Sequence, residues 1–446
     1  MIHHSAVPSP GLLPPPGPAP GSIRRTAPAR IGGAVAALSA AALLLTGCMA
    51  PAGSPAGPAS SGPPAAETPH GYVAGAAEAA EPQARLTAVS ADGQVSVTDP
   101  ADESVTELGT FPGVKAATGT GRFVFLSNPE DGTVHVVDAG GWTVNHGDHR
   151  HYYSAEPRVV GSINGPDPGS IASNDGRSAV FFGDGTVAVL DHEDLGAGTV
   201  TETRFTVAAH RGVAVPFGDA VLVSVAEPGA ERASAVGLYS ADGRRAGITG
   251  ARCPELEGHA VTRTGAVFGC ADGALVITAG DSGAPVARHI PYPDTDDGAA
   301  PGVERARAFD HRPGSNELAA VAGTAGAWHF DAAAEAWQLL ATPEPLLTAA
   351  AAGDGTRVLG LGTGGTLFAL NTGPVPAVSP VDTSRHLLAG PAAPDTVPGL
   401  EIDPERAYIN DEHSGSIVEI DYADGLRTAR ELDPGLPARL IVETGR

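Results

Sequence analysis

Gly132-Thr-Val134-His-Val136-Val-Asp138 is the segment whose reading decides the fold. A glycine opens it, apolar side chains fall on every second residue, and an aspartate opens the next turn. Period-2 alternation between turn residues is the pattern of a β-strand with one buried face. The template returns as Gly93-Gln-Val95-Ser-Val97-Thr-Asp99, Gly185-Thr-Val187-Ala-Val189-Leu-Asp191, Gly365-Thr-Leu367-Phe-Ala369-Leu-Asn371 and Gly415-Ser-Ile417-Val-Glu419-Ile-Asp421. Weaker copies start at Gly273 and Gly326, and the least regular surrounds Ala235-Val-Gly237-Leu-Tyr239. Most copies follow another apolar run, such as Arg122-Phe-Val-Phe-Leu126, which makes a hairpin. The copies lie 36 to 53 residues apart, about 46 on average, and this is the period of four-stranded propeller blades. The expectation is an all-β propeller over residues 85–438 with eight blades, seven being the alternative, followed by a C-terminal tail at 439–446.

The repeat also tells which positions are structural. Two residues past the glycine stand Val95, Val134, Val187, Leu275, Trp328, Leu367 and Ile417, so that face packs between blades. One position further the residue type varies, and His135 and His329 fall there, in a tolerant structural position.

Composition narrows the function. The 446 residues carry 27 basic and 51 acidic side chains, a formal charge of −24. Lys115 is the only lysine, which argues against a nucleic-acid partner, whose phosphates require clustered Lys and Arg. Only one stretch is apolar enough to suggest a membrane segment. Arg24, Arg25 and Arg30 precede a small and apolar run from Ile31 to Leu45, the order of an export signal and short for a span. The run ends in Leu45-Thr46-Gly47-Cys48, similar to a bacterial lipobox, so residues 1–47 read as a lipoprotein signal and Cys48 as the lipidation site. Residues 1–47 hold no acid, so losing their three arginines takes the charge from −24 to −27. The rest of 48–84 is rich in Pro, Ala, Gly and Ser and reads as a disordered tether. The expected location is the outer face of the cytoplasmic membrane, with the lipid as the only membrane contact, and the protein is expected to be monomeric.

Two cysteines remain. Cys253 and Cys270 form an even pair in an exported chain, the usual sign of a disulfide. Of the 15 histidines, one cluster stands apart: His146-Gly-Asp148-His149-Arg-His151-Tyr152-Tyr153. Imidazole is the commonest metal ligand, and three His with one Asp can complete a tetrahedral zinc set. On a glycine-containing loop the ligands can swing, which favours picking up and passing on a metal. Further candidate ligands are His210, Glu257 and His259, each just before an apolar strand, where a propeller's channel mouth lies. No G-x-S-x-G, G-x-x-x-x-G-K-[ST] or H-E-x-x-H motif is present, and no catalytic residue is proposed.

With these segments assembled, the chain resembles the AztD-type zinc metallochaperones, exported β-propellers that hand zinc to the solute-binding protein of a zinc ABC transporter. The resemblance runs over roughly 85–435. It rests on the histidine loop with its tyrosine pair, on Asn174-Asp-Gly-Arg-Ser-Ala-Val-Phe-Phe182, on His210-Arg-Gly-Val-Ala-Val-Pro, and on the segments around Cys253 and Cys270 and at Val418-Glu-Ile-Asp421-Tyr-Ala-Asp. It implies Zn²⁺ as the bound ion and transfer by ligand exchange. Two departures stand out: the family pattern has a second His where this chain has Arg211, and a Leu-His-Gly-Glu where it has Leu256-Glu257-Gly258-His259. The competing readings are a metal-dependent propeller hydrolase or lactonase, with a channel cation polarising a carbonyl, and a metal-free scaffold at the cell surface.

Overall fold

A computed structural model describes residues 73, 75–146, 149–293, 302–373, 381–388 and 397–445. Met1–Ala66 and Glu67–Arg446 are separate units, and every described residue lies in the second. The signal at 1–47, Cys48 and most of the tether fall outside the described residues.

Every copy of the sequence template supplies the third strand, counted outward from the innermost, of a different four-stranded unit, and the copies at Gly326 and Gly365 share one eight-stranded sheet. Glycine is required where these strands begin. Gly132 and Gly185 hold φ of 77° and 86°, and a Cβ at either would lie 2.4 Å from a backbone carbonyl, that of Gly165 or Val207. Side-chain-bearing residues adopt neither the angle nor the approach.

The first sheet orders Ala438–Thr444, Arg85–Ser90, Gln94–Thr98 and Val105–Thr110, and the second Ala116–Thr120, Phe123–Asn128, Thr133–Asp138 and Arg158–Asn164. Further four-stranded sheets lie within 168–206, 214–248, 259–291 and 400–432, and an eight-stranded one within 310–386. That large sheet is two four-stranded units joined by a short parallel pairing, Asp310 to Ala350 and His311 to Ala351. The only helix among the described residues is His192–Gly196.

Apolar clusters link consecutive sheets into a ring. Phe123, Phe125 and Val136 pack on Val180, Phe182 and Leu190, and Val215 and Leu222 pack on Phe268 and Leu275. Leu86 and Ile441 of the first sheet meet Tyr408 and Ile417 of the last, which closes the circle. Burying each such side chain contributes about 1.5–3 kcal/mol. The residues two past each glycine are all at most 4% exposed, as expected of a face between sheets. The architecture is a β-propeller.

The chain's end makes the closure. Ala438–Thr444 is the innermost strand of the first sheet and pairs with Arg85–Ser90, so residues 439–444 are part of the propeller and not a tail. The tether's last residues likewise carry a short strand, Ala77–Ala79.

Innermost strands of five four-stranded units, two of them in the eight-stranded sheet, converge on a cavity of about 210 Å³ lined by Ala117, Asp310, Thr348, Glu401 and Leu440 among others. Cys253 and Cys270 are bonded, with an S–S distance of 2.06 Å. The bridge pins the loop entering the 259–291 sheet to that sheet's second strand.

Candidate metal centre

The histidine segment is a hairpin, not an open loop. Gly141–Asn145 pairs with Arg150–Ser154 in register Trp142 to Tyr153, Val144 to His151 and Asn145 to Arg150. The His146 N–H donates to the His149 carbonyl at 3.0 Å and closes the turn. The hairpin is inserted between the third and fourth strands of the second sheet. Its base is fixed by Trp142 and Tyr153, 6% and 0% exposed, whose rings stack with centroids 5.4 Å apart. Arg122 lays its guanidinium 3.7 Å from the Trp142 ring centre. At Gly141 a Cβ would lie 2.1 Å from the Gln83 carbonyl, so glycine lets the backbone at Gln83 pass against the start of the hairpin.

Above this base three imidazoles meet. Ring centres of His146 and His149 are 5.0 Å apart, of His146 and His151 5.3 Å, and of His149 and His151 4.9 Å. One ligand nitrogen from each lies within 4.8 Å of the others, and His146 and His149 are exposed. Tetrahedral zinc with Zn–N bonds of about 2.0–2.1 Å holds its nitrogens roughly 3.3 Å apart, so rotations of exposed side chains bring the three onto one ion. The residues present therefore fit zinc. Asp148 lies outside the described residues.

The N-terminal strand Ala77–Ala79 pairs with the hairpin's second strand, with Glu78 opposite Tyr153. The Glu78 carboxylate Oε1 lies 2.7 Å from Nδ1 of His151. Nothing in the sequence singled out this glutamate within an alanine-rich segment.

The other candidate ligands are placed elsewhere. Strands alternate in direction within each sheet, so a loop entering a first strand and one leaving a third strand lie at opposite ends. His210 and Glu257 stand on entering loops; the hairpin is on a leaving one. His210 is 6% exposed; its Nδ1 donates to the Ala208 carbonyl and its Nε2 accepts from the Ser224 hydroxyl, both at 2.7 Å. Burial lowers its pKa and favours the neutral ring these bonds need. One Glu257 oxygen meets Arg232 at 2.6 Å, Arg305 at 2.7 Å and Arg307 at 2.9 Å. Burial would raise the carboxyl's pKa, but these guanidiniums hold it below the usual range. His259 Nε2 donates to the Ile171 carbonyl at 3.2 Å, and burial, aided by nearby His311, lowers its pKa to about 4. The exchanged Glu257 and His259 thus serve separate contacts.

Among the described residues one further triplet has metal-ligand spacing, Cys270, Asp272 and His289, but the Cys270 sulfur is in the disulfide. The cavity acids Asp310 and Glu401 had no local signal. Burial raises the Asp310 pKa to about 6. Burial and the neighbouring Asp310 charge raise that of Glu401 to about 8. The His135 ring lies tilted against Phe111 with centroids 4.6 Å apart, and His329 is buried.

Two solved structures of AztD from Citrobacter koseri, one of them the apo protein, superimpose on this chain with a TM-score of 0.69 at 21% identity, covering 82% of this chain and 98% of theirs. The fold is that of AztD. In sequence, the chain is 30% identical to the zinc chaperone AztD of Citrobacter koseri over 198 residues, 42% of this chain and 47% of the relative. The match thus spans about half the length of that curated relative. No family model matches the chain. The likeness to AztD is therefore found in aligned sequence over 42% of the chain and in fold over 82% of it.

Proposed function

We propose that this chain is an exported zinc chaperone, tethered through a lipid on Cys48 to the outer face of the cytoplasmic membrane, which passes Zn²⁺ to the solute-binding protein of a zinc ABC transporter. The observation that carries the reading is the meeting of His146, His149 and His151 on an exposed, anchored hairpin. Its support is the similarity to a relative described as a zinc chaperone. Neutral imidazoles bind zinc well, and exposed ones can leave one at a time. Ligand exchange follows: an acceptor's groups enter as the histidines depart, with no bond chemistry and no catalytic residue. Asp148 is the nearest further oxygen ligand in the sequence. The mature charge of −27 read from the sequence raises the local concentration of divalent cations.

The hydrolase reading has one observation on its side, the Asp310–Glu401 pair in the cavity. Among the described residues no third acid or imidazole joins it at ligand spacing.

The test is transfer. Zinc-loaded protein mixed with apo solute-binding protein should deliver its ion faster than it releases zinc to a dilute chelator. Equal rates would mean passive release, and the chaperone reading would fail.

A further inference from the structure

We propose that Glu78 is the positioning residue of the histidine cluster, brought to it by the three-residue strand that ends the tether. The inference rests on the zinc reading above and adds to it how the site is held ready.

The geometry is specific. Ala77, Glu78 and Ala79 pair with Ser154, Tyr153 and Tyr152, making a third strand on the edge of the hairpin. From there the Glu78 carboxylate reaches Nδ1 of His151 at 2.7 Å. A neutral imidazole has one N–H and one lone pair. A carboxylate accepts only, so the pair places the proton on Nδ1 and the lone pair on Nε2, the nitrogen left to face a metal. A carboxylate behind a ligating histidine both fixes the ring and makes it a stronger donor. Of the three imidazoles, His151 is the least exposed, so it is the ligand whose orientation a partner can set.

Delivery by the strand matters as much as the carboxylate. The pairing is three residues long, and Ala77 and Glu78 are exposed, so little apolar burial holds the strand down. Beyond it the chain is fixed again at Arg85, which binds Ser154 Oγ at 2.9 Å and Asp99 at 2.8 Å. The segment from 77 to 84 is therefore a clasp fixed at its C-terminal end. With the clasp closed, His151 offers Nε2; with it open, the ring is free to turn and to exchange tautomers, and the metal is held less well. The last residues of a segment that reads as mere linker thus belong to the metal site.

The experiment uses the full chain with Zn²⁺, as wild type, Glu78→Gln, Glu78→Asp, Ala79→Pro and the triple variant His146→Ala/His149→Ala/His151→Ala. Zinc affinity is read by competition with a chromogenic chelator, and the His151 tautomer by ¹⁵N imidazole shifts in the metal-free protein. Expected are a zinc affinity about 10–100-fold weaker in Glu78→Gln, a His151 spectrum shifted to mixed tautomers, and partial recovery in Glu78→Asp. Ala79→Pro removes a pairing N–H but keeps the carboxylate, and should mimic Glu78→Gln if the strand delivers it. Wild-type affinity in Glu78→Gln, or an unchanged His151 tautomer, overturns the proposal while loss of zinc in the triple variant leaves the zinc reading standing. If the triple variant binds as wild type, the zinc reading itself fails.

Discussion

Replacing Trp142 by alanine should weaken zinc binding without touching a ligand. The ring is 6% exposed, stacks on Tyr153 and carries the Arg122 guanidinium on its face. Arg122 is itself held by Asp138 at 2.9 and 2.6 Å, so it cannot follow the hairpin outward. Truncating a buried tryptophan costs about 3–5 kcal/mol. Trp142 belongs to none of the clusters that join the sheets, so most of that cost falls on docking of the hairpin. A loss of about 3 kcal/mol lowers the ratio of docked to undocked hairpin by roughly two orders of magnitude, and apparent affinity falls with the competent fraction. The expected result is a zinc Kd raised at least about tenfold, with a thermal midpoint close to wild type. Chelator competition and circular dichroism melts read the two quantities. A folded Trp142→Ala protein with wild-type affinity would refute the idea that the docked hairpin presents the histidines.

Three further outcomes are expected. Glu401 has a folded pKa of about 8 against an ordinary value near 4.5, so the folded state holds a proton that the unfolded chain releases; stability should fall as pH rises between those values, by at most about 1.4 kcal/mol per pH unit. Glu401→Gln keeps the neutral form, so its stability relative to wild type in urea titrations should grow from pH 5 to 8, and a constant difference would contradict the assignment. Replacing Cys253 and Cys270 by alanine opens a loop closed over a separation of 17 residues and should cost about 3 kcal/mol in the chain-entropy argument, measured by urea unfolding, with zinc stoichiometry unchanged. His210→Ala leaves Ser224 and the Ala208 carbonyl without their partner and should cost about 1–3 kcal/mol while calorimetry still finds the same number of zinc ions.

What could be read from the sequence was local. The glycine, the alternation and the closing aspartate lie within seven residues, so the third strand of every sheet was visible, and so was the hairpin it forms with its predecessor. The disulfide and the histidine cluster were visible for the same reason: Cys253 and Cys270 flank one hairpin, and three histidines share six residues. Features made by ring closure were not. Ala438–Thr444 pairs with Arg85–Ser90 across nearly the whole domain, and a strand missing its local partner looks like a tail. Asp310 and Glu401 line one cavity because innermost strands converge there, and the two strands that carry them, Asp310–His311 and Leu400–Ile402, are too short to hold a pattern. His210, Glu257 and His259 were drawn to the channel by their place before strands, but position along a chain does not tell which backbone carbonyl or guanidinium a side chain will find. Glu78 is the sharpest case, since a tether composition hides a residue that completes a site built about 70 positions later.

The central claim is that His146, His149 and His151 together hold zinc. The most direct measurement is a competitive Zn²⁺ titration against a chromogenic chelator, on a protein that retains residue 77 onward, comparing wild type with the triple alanine variant. The account predicts that the wild type takes zinc from the chelator and that the triple variant loses at least one tight site while remaining folded. Identical titration curves for the two proteins would contradict it.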